Sequence, residues 1–264
     1  MPPQRSDSLR TQAVLISTAE RLFAERGLEA VSLSEINRDA GQRNKSALHY
    51  HFGSRDGLLK ALLEKHRLRL DQERMAMLEE YGAAHELSLH DAVSIMVRPL
   101  ARRLGDHEDG GVHYIRIMAQ LSATPGHPLN DWLFNHLPPA FAAIAPVLYR
   151  HIPRAPTLLR MRRTQLMNGT MFHALLLETY SSPDDFPSPE EHRAQQELYI
   201  NDLIDSICGM LSAPLSPLSE AVLARRAEER VALPATDDEL PVFGDGKERG
   251  LLTFEGDSAD AAVP

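Results

Sequence analysis

The sequence predicts an all-α protein. Three observations carry that prediction. Apolar residues recur three and four apart along most of the chain. No stretch alternates with period two, as a half-buried strand would. The breaks between periodic stretches hold Gly, Pro, Ser and Thr. The 264 residues are 43% hydrophobic and 25% charged, ordinary for a globular chain of one or two domains. One cysteine, Cys208, excludes an intramolecular disulfide and a Cys-based zinc finger, and fits a reducing compartment. The polar start, MPPQRSDSLR, predicts no signal peptide, and no apolar run nears the roughly 20 residues of a membrane helix. The net charge is −9, which taken alone argues against a nucleic-acid binder.

The elements follow in order. Residues 12–26 set Leu15, Ile16, Ala19, Leu22 and Phe23 on one helix face, with Glu20, Arg21 and Glu25 opposite. Thr11 is a candidate N-cap and Gly27 a C-terminal stop. A short helix over Ser32–Ala40 carries Leu33, Ile36 and Ala40. After Gly41, a second short helix ends in Leu48 and Phe52. Ser54 caps a longer helix running to about residue 80. Further helices are predicted over 89–104, 112–123, 127–151, 156–181, 189–212 and 217–230. Pro99, Pro138-Pro139 and Pro146 should kink or interrupt them. From about 232 the chain is rich in Pro, Gly, Asp and Glu, the composition of a disordered tail.

The stretch Ser32–Phe52 carries the functional signal. Ala40 lets two short helices cross closely, and Gly41 permits the tight turn between them. Leu33, Ile36, Leu48 and Phe52 suit a small core. Gln42, Arg43, Asn44, Lys45, Ser46, His49 and Tyr50 then remain outside, a dense donor set over about two helical turns. Such a helix fits the major groove, where Arg or Lys reads guanine and Asn or Gln reads adenine. A solvated polar helix is the plain alternative. His49 and His51 form an H-x-H pair, but residues two apart on a helix diverge by about 200° and do not share a metal.

This stretch resembles the helix-turn-helix domain of the tetracycline-repressor (TetR) family. The resemblance is carried by Leu22-Phe23-Ala24-Glu25-Arg26-Gly27, then Ser32 through Gly41, then Leu48-His49-Tyr50-His51-Phe52 through Leu58. It implies phosphate contacts from Ser32, His49, Tyr50 and Arg55. Gln42, Arg43, Asn44 and Lys45 are the candidates for reading bases, and Arg5 and Arg10 could add contacts from an N-terminal arm. Asn37 stands where the family usually has Ala, Gln42 where it has Val, His49 where it has Tyr and Arg55 where it has Lys. Asn37 and Gln42 are therefore expected to be less buried than in relatives, or to hydrogen-bond across the turn.

The resemblance divides the chain into a DNA-binding domain (1–54), a connector helix (55–80), a helical ligand-binding and dimerisation domain (81–212) and an extension (213–264). It implies dimerisation through helices 156–181 and 189–212. Leu159, Leu166, Met167, Thr170 and Leu177 line one, and Leu198, Leu203, Ile207, Met210 and Leu211 the other. Part of these faces must serve the subunit's own core. Met96, His113, Tyr114, Met118, Trp132, Phe134, Phe141, Met167, Met171, Phe172 and His173 suit a compartment for an apolar or amphipathic effector. Each such residue is more often plain core than pocket lining.

The expected protein is a cytoplasmic, homodimeric regulator, a repressor released from a palindromic double-stranded DNA operator by a small effector. Activation, or a second domain that only dimerises or docks a protein, are the alternatives. No enzyme motif, cofactor, metal or membrane contact is expected, and Cys208 reads as a core residue. The charge then divides: residues 1–69 hold 12 basic and 8 acidic residues, a net of +4, and residues 70–264 hold 16 and 29, a net of −13. A basic head on an acidic body is compatible with DNA where the average is not.

Overall fold

The computed structural model describes residues 4–42, 44, 46–106, 109–124, 126–152, 157–179 and 183–232. Among these every regular element is a helix. Arg43, Lys45 and the tail beyond 232 lie outside the described residues, as do the side chains of Arg5 and Phe134.

The first three helices form a small unit. Helix α1 (Gln4–Arg26) buries Leu15, Ala19, Leu22 and Phe23 and stops where Gly27 takes a φ of 97°. It starts eight residues before the predicted position. Helix α2 (Leu33–Asp39) is capped by Ser32, whose Oγ accepts from the Glu35 amide at 3.2 Å. Helix α3 (Ala47–Phe52) buries Ala47 and Leu48 and ends at Gly53, φ 72°. Helix α4 (Arg55–Ala84) begins with the Ser54 cap, 3.0 Å from the Gly57 amide. At Gly57 a Cβ would lie 2.0 Å from the Phe52 carbonyl oxygen, so the α3–α4 corner requires glycine.

Helix α4 joins the two parts of the molecule. Its first half packs on α1 and α3, and its second half on α5 (Leu89–Arg102) and α8 (Pro139–His151). Leu58, Leu59, Leu62, Leu63, Leu70 and Met77 are buried along it, so one apolar core runs from Leu15 to Leu211 without a break. Helices α6 (Gly111–Ser122), α9 (Thr157–Glu178) and α10 (Pro189–Ser212) complete the body, and α11 (Pro217–Ala232) follows.

The prolines act unequally. The predicted helix 127–151 is two, α7 (Pro128–Asn135) and α8, because Pro138 lacks an amide donor and keeps the chain extended before it. Pro99 does not break α5, which ends three residues later and passes into a 3₁₀ turn at Arg103–Gly105. Pro146 is likewise accommodated inside α8.

Candidate nucleic-acid interface

The surface around α3 is built from its buried side outward. Leu48, Ile36, Phe23 and Leu58 are almost wholly inaccessible, which fixes α3 against α1, α2 and α4. The opposite face carries His49 and Tyr50, both exposed, Tyr50 by 80%. A large aromatic left in solvent on a short, rigidly held helix is available for contact with a partner. The Tyr50 ring meets the His51 ring edge-on at 5.1 Å, which restricts its swing.

The approach to α3 is a turn, not a helix. The expected two helical turns of donors are therefore corrected: α3 spans six residues, and Gln42 and Asn44 precede it. Gln42 donates from Nε2 to the Ala40 carbonyl at 3.2 Å, a bond across the turn of the kind expected. Its amide donates to the Asn37 carbonyl at 2.9 Å, and Asn37 itself is buried rather than relieved to solvent. The Asn44 side-chain oxygen accepts from the Ser46 amide at 2.9 Å, and its carbonyl accepts from Ala47 at 3.1 Å. This local turn sets the entry into α3. Ser46 stays exposed, and so does Ser32, whose hydroxyl is held by its capping bond.

Arg55 departs from its expected role at phosphate. Its Nη1 donates to the Val31 carbonyl at 2.7 Å, and its guanidinium lies 5.2 Å from the centre of the Phe23 ring. The side chain ties α4 to the α1–α2 loop and points into the unit. Arg10 is exposed on α1.

Comparison with known proteins bears on what such a surface does. The family model described as bacterial regulatory proteins, tetR family, matches residues 15–62, from the middle of α1 into α4. A second, described as tetracyclin repressor-like C-terminal domain, matches residues 94–210. Together they span well over half of the chain. The chain belongs to the TetR family of transcriptional regulators.

A crystal structure of a TetR-family transcriptional regulator from Pectobacterium atrosepticum is similar at 20% identity, over 80% of this chain and 99% of that one, with a TM-score of 0.37. Membership rests on the family models and not on that superposition. No match is found among curated proteins. As a TetR-family regulator the protein carries a DNA-binding helix-turn-helix.

The body of this TetR-family protein does not gather the expected effector residues round one cavity. Met96, Tyr114, Met167, Met171 and Phe172 are buried members of the packed core. Met118 and Phe141 pack against it from the side. Trp132 lies nearer the surface, with the Arg67 guanidinium 5.4 Å and the Lys60 amine 6.0 Å from its ring centre and His136 stacked at 5.1 Å. His173 is exposed and donates to the Gly169 carbonyl of its own helix at 2.9 Å. Among the described residues the two clefts that stand out are open and polar. One, of about 550 Å³, is lined by Arg69, Glu73, Arg102, Arg103, Gly105 and Asp106. The other, of about 250 Å³, includes Glu20, Lys65, Asp109 and His113. Burial holds His113 below the ordinary imidazole value. Cys208 is half-buried against the core, and burial pushes its thiol up to about 11. That leaves little thiolate near neutral pH.

A buried polar joint between the two parts was not foreseen. Glu20, expected on the solvent face of α1, is buried. Its carboxylate bonds to buried His66 and lies 3.1 Å from Lys65, both on α4. His66 stacks on Tyr114 of α6 at 4.7 Å, and Lys65 donates to the Asp109 carbonyl at 2.8 Å. At the other end of α6, Gln120 accepts from the Leu28 amide at 3.0 Å and donates to the Phe23 carbonyl at 3.2 Å. Helix α6 thus holds α1 directly through Gln120 and, by way of His66 on α4, through Tyr114.

Proposed function

We propose that the protein is a homodimeric repressor that binds a palindromic operator in duplex DNA. The observation that carries this reading is the α3 face. Tyr50 and His49 stand exposed on a helix whose inner side is immobilised by core, beside the Asn44–Ser46 turn and the Arg43 and Lys45 that the sequence places there. Two such helices must be held about one DNA turn apart to meet a palindrome. The exposed Leu166, Leu177 and Leu198 of α9 and α10 suit that second contact. Leu203, Ile207 and Leu211 instead serve the subunit's own core.

Release by a small effector is the second half of the proposal, with the effector and DNA opposing each other in binding free energy. The filled interior at Met96, Tyr114, Met167 and Met171 favours the alternative, a body that dimerises or docks a protein without a small ligand. An effector would have to part α5, α6 and α9 before binding. A gel-shift titration with the DNA preceding the protein's own gene tests the DNA half: a sequence-selective, salt-dependent shift is expected, and its absence sinks the reading. Melting against a metabolite library tests the other half, since a bound ligand raises the melting temperature by mass action. Arg43→Ala is expected to weaken binding and relax discrimination at one base pair per half-site. A loss uniform across sequences would place Arg43 at phosphate only.

A further inference from the structure

The loop from α1 to α2, residues 27–31, leads into the helix-turn-helix, and the body grips it. Gly27 turns the chain out of α1, and the Leu28 amide finds its acceptor outside that helix. Gln120, in the last turn of α6, supplies it with Oε1 at 3.0 Å. Its Nε2 donates to the Phe23 carbonyl at 3.2 Å, which also accepts from the Gly27 amide at 3.0 Å. One side-chain amide thus closes the end of α1 with two bonds of opposite sense. Its partners lie 92 and 97 residues away in sequence, and both are main chain. On the same loop the His127 imidazole lies 3.7 Å from the Glu29 carboxylate, but the Glu29 side chain is 85% exposed, so that pair contributes little.

The end of α6 that grips the loop is itself braced. Asn130 of α7 donates to the Leu121 carbonyl at 3.2 Å and to the Thr124 carbonyl at 2.9 Å. Beyond the joint, Arg55 holds the Val31 carbonyl and Ser32 caps α2. A run of directional bonds therefore leads from α7 through α6 to the first turn of α2. The apolar core also joins head and body, but burial has no direction and tolerates sliding. Hydrogen bonds to main chain fix where the chain lies and at what angle.

We propose that Gln120 is a positioning residue for DNA recognition. Its bonds at the α1–α2 junction set the tilt of the helix-turn-helix on the body, and hence the separation of the two α3 helices in a dimer. The inference rests on the reading of the protein as a dimer on a palindrome. One base pair added between half-sites moves them apart by about 3.4 Å and turns them by about 35°. A head held at one tilt answers that change with a loss of affinity, and a head free to tilt answers it less.

The test uses the full chain and an operator that it selects from a random duplex pool, then the same operator with one base pair added or removed at its centre. Fluorescence anisotropy gives the ratio of affinities, selected spacing over altered spacing. Gln120→Leu removes both bonds at similar volume. Gln120→Glu removes the donor and sets a carboxylate against the Phe23 carbonyl. Both are expected to lower the ratio at least about fivefold, the low end of coupling between distant sites, with circular dichroism showing the helices intact. Ile117→Val, a buried change on α6 that touches neither bond, is expected to keep the parent ratio at a lowered melting temperature. A ratio retained in both Gln120 variants overturns the proposal. So does an equal fall in Ile117→Val, which would make loss of stability the cause. A selected site without twofold symmetry overturns the palindrome reading, and the proposal built on it, before any variant is measured.

Discussion

Tyr50 and Glu20 show how a residue's surroundings decide what its loss will cost. Tyr50 projects from α3 with 80% of its surface in solvent, so its removal should leave stability within about 0.5 kcal/mol of the parent. Its hydroxyl can bond a phosphate or sugar oxygen, and removing that bond should weaken DNA binding by roughly 1 kcal/mol, about fivefold. Tyr50→Ala is therefore expected to raise the operator dissociation constant several-fold at an unchanged melting temperature. Because a phenol carries no charge, the salt dependence should stay that of the parent. Fluorescence anisotropy at two salt concentrations reads both. Glu20 is the opposite case. Its buried carboxylate meets His66 and Lys65, and deleting it strands the buried His66, while the partly exposed Lys65 keeps Asp109. Glu20→Ala should cost roughly 3–5 kcal/mol in chemical denaturation. Glu20→Gln, which keeps a hydrogen-bonding side chain of the same shape, should cost less; equal losses would show that charge and not shape governs the site.

At the scale of elements, corners rather than helices hold the constraints. Gly57 sits in the first turn of α4 because the Phe52 carbonyl occupies the space a Cβ would need. Gly57→Ala must shift backbone and is expected to destabilise by at least about 1–3 kcal/mol. It should also tilt α3, lowering operator affinity beyond the loss of folded protein. A variant with normal melting and normal DNA binding would show that the corner yields cheaply. The helices themselves were legible from apolar spacing, and α10 falls on its predicted bounds because Ser188-Pro189 starts it sharply. The corners were less so. Pro138 divides a predicted helix while Pro99 and Pro146 do not, since the outcome depends on where in a turn the missing donor falls. Residues 42–46 hold helix-compatible side chains, but Gln42 and Asn44 bond to nearby backbone and compete with the helix. Arg55 and Glu20 read as surface charges because their partners, the Val31 carbonyl and His66, are set by tertiary packing that one helix's periodicity does not report.

The whole molecule is electrostatically divided, and that division makes a prediction of its own. The head, residues 1–69, carries +4 and the remainder −13, of which residues 233–264 contribute eight acidic and two basic residues, a net of −6. A dimer doubles these charges. Near 0.1 M salt the screening length is about 10 Å, so acidic segments beyond that distance act weakly on the operator complex. They act instead on encounters with DNA in other orientations, where body and tail repel phosphate and only the basic head is attractive. Removing residues 233–264 should therefore strengthen binding to sheared genomic DNA more than binding to operator, lowering the ratio of specific to non-specific affinity. The effect should be largest near 0.05 M salt and fade towards about 0.2 M, where counterion release already weakens all phosphate contacts. Anisotropy competition between operator and genomic fragments measures that ratio directly. A ratio unchanged at low salt would mean that the tail's charge is neutralised within the molecule, and a ratio that rises would place the tail against the DNA-binding head itself.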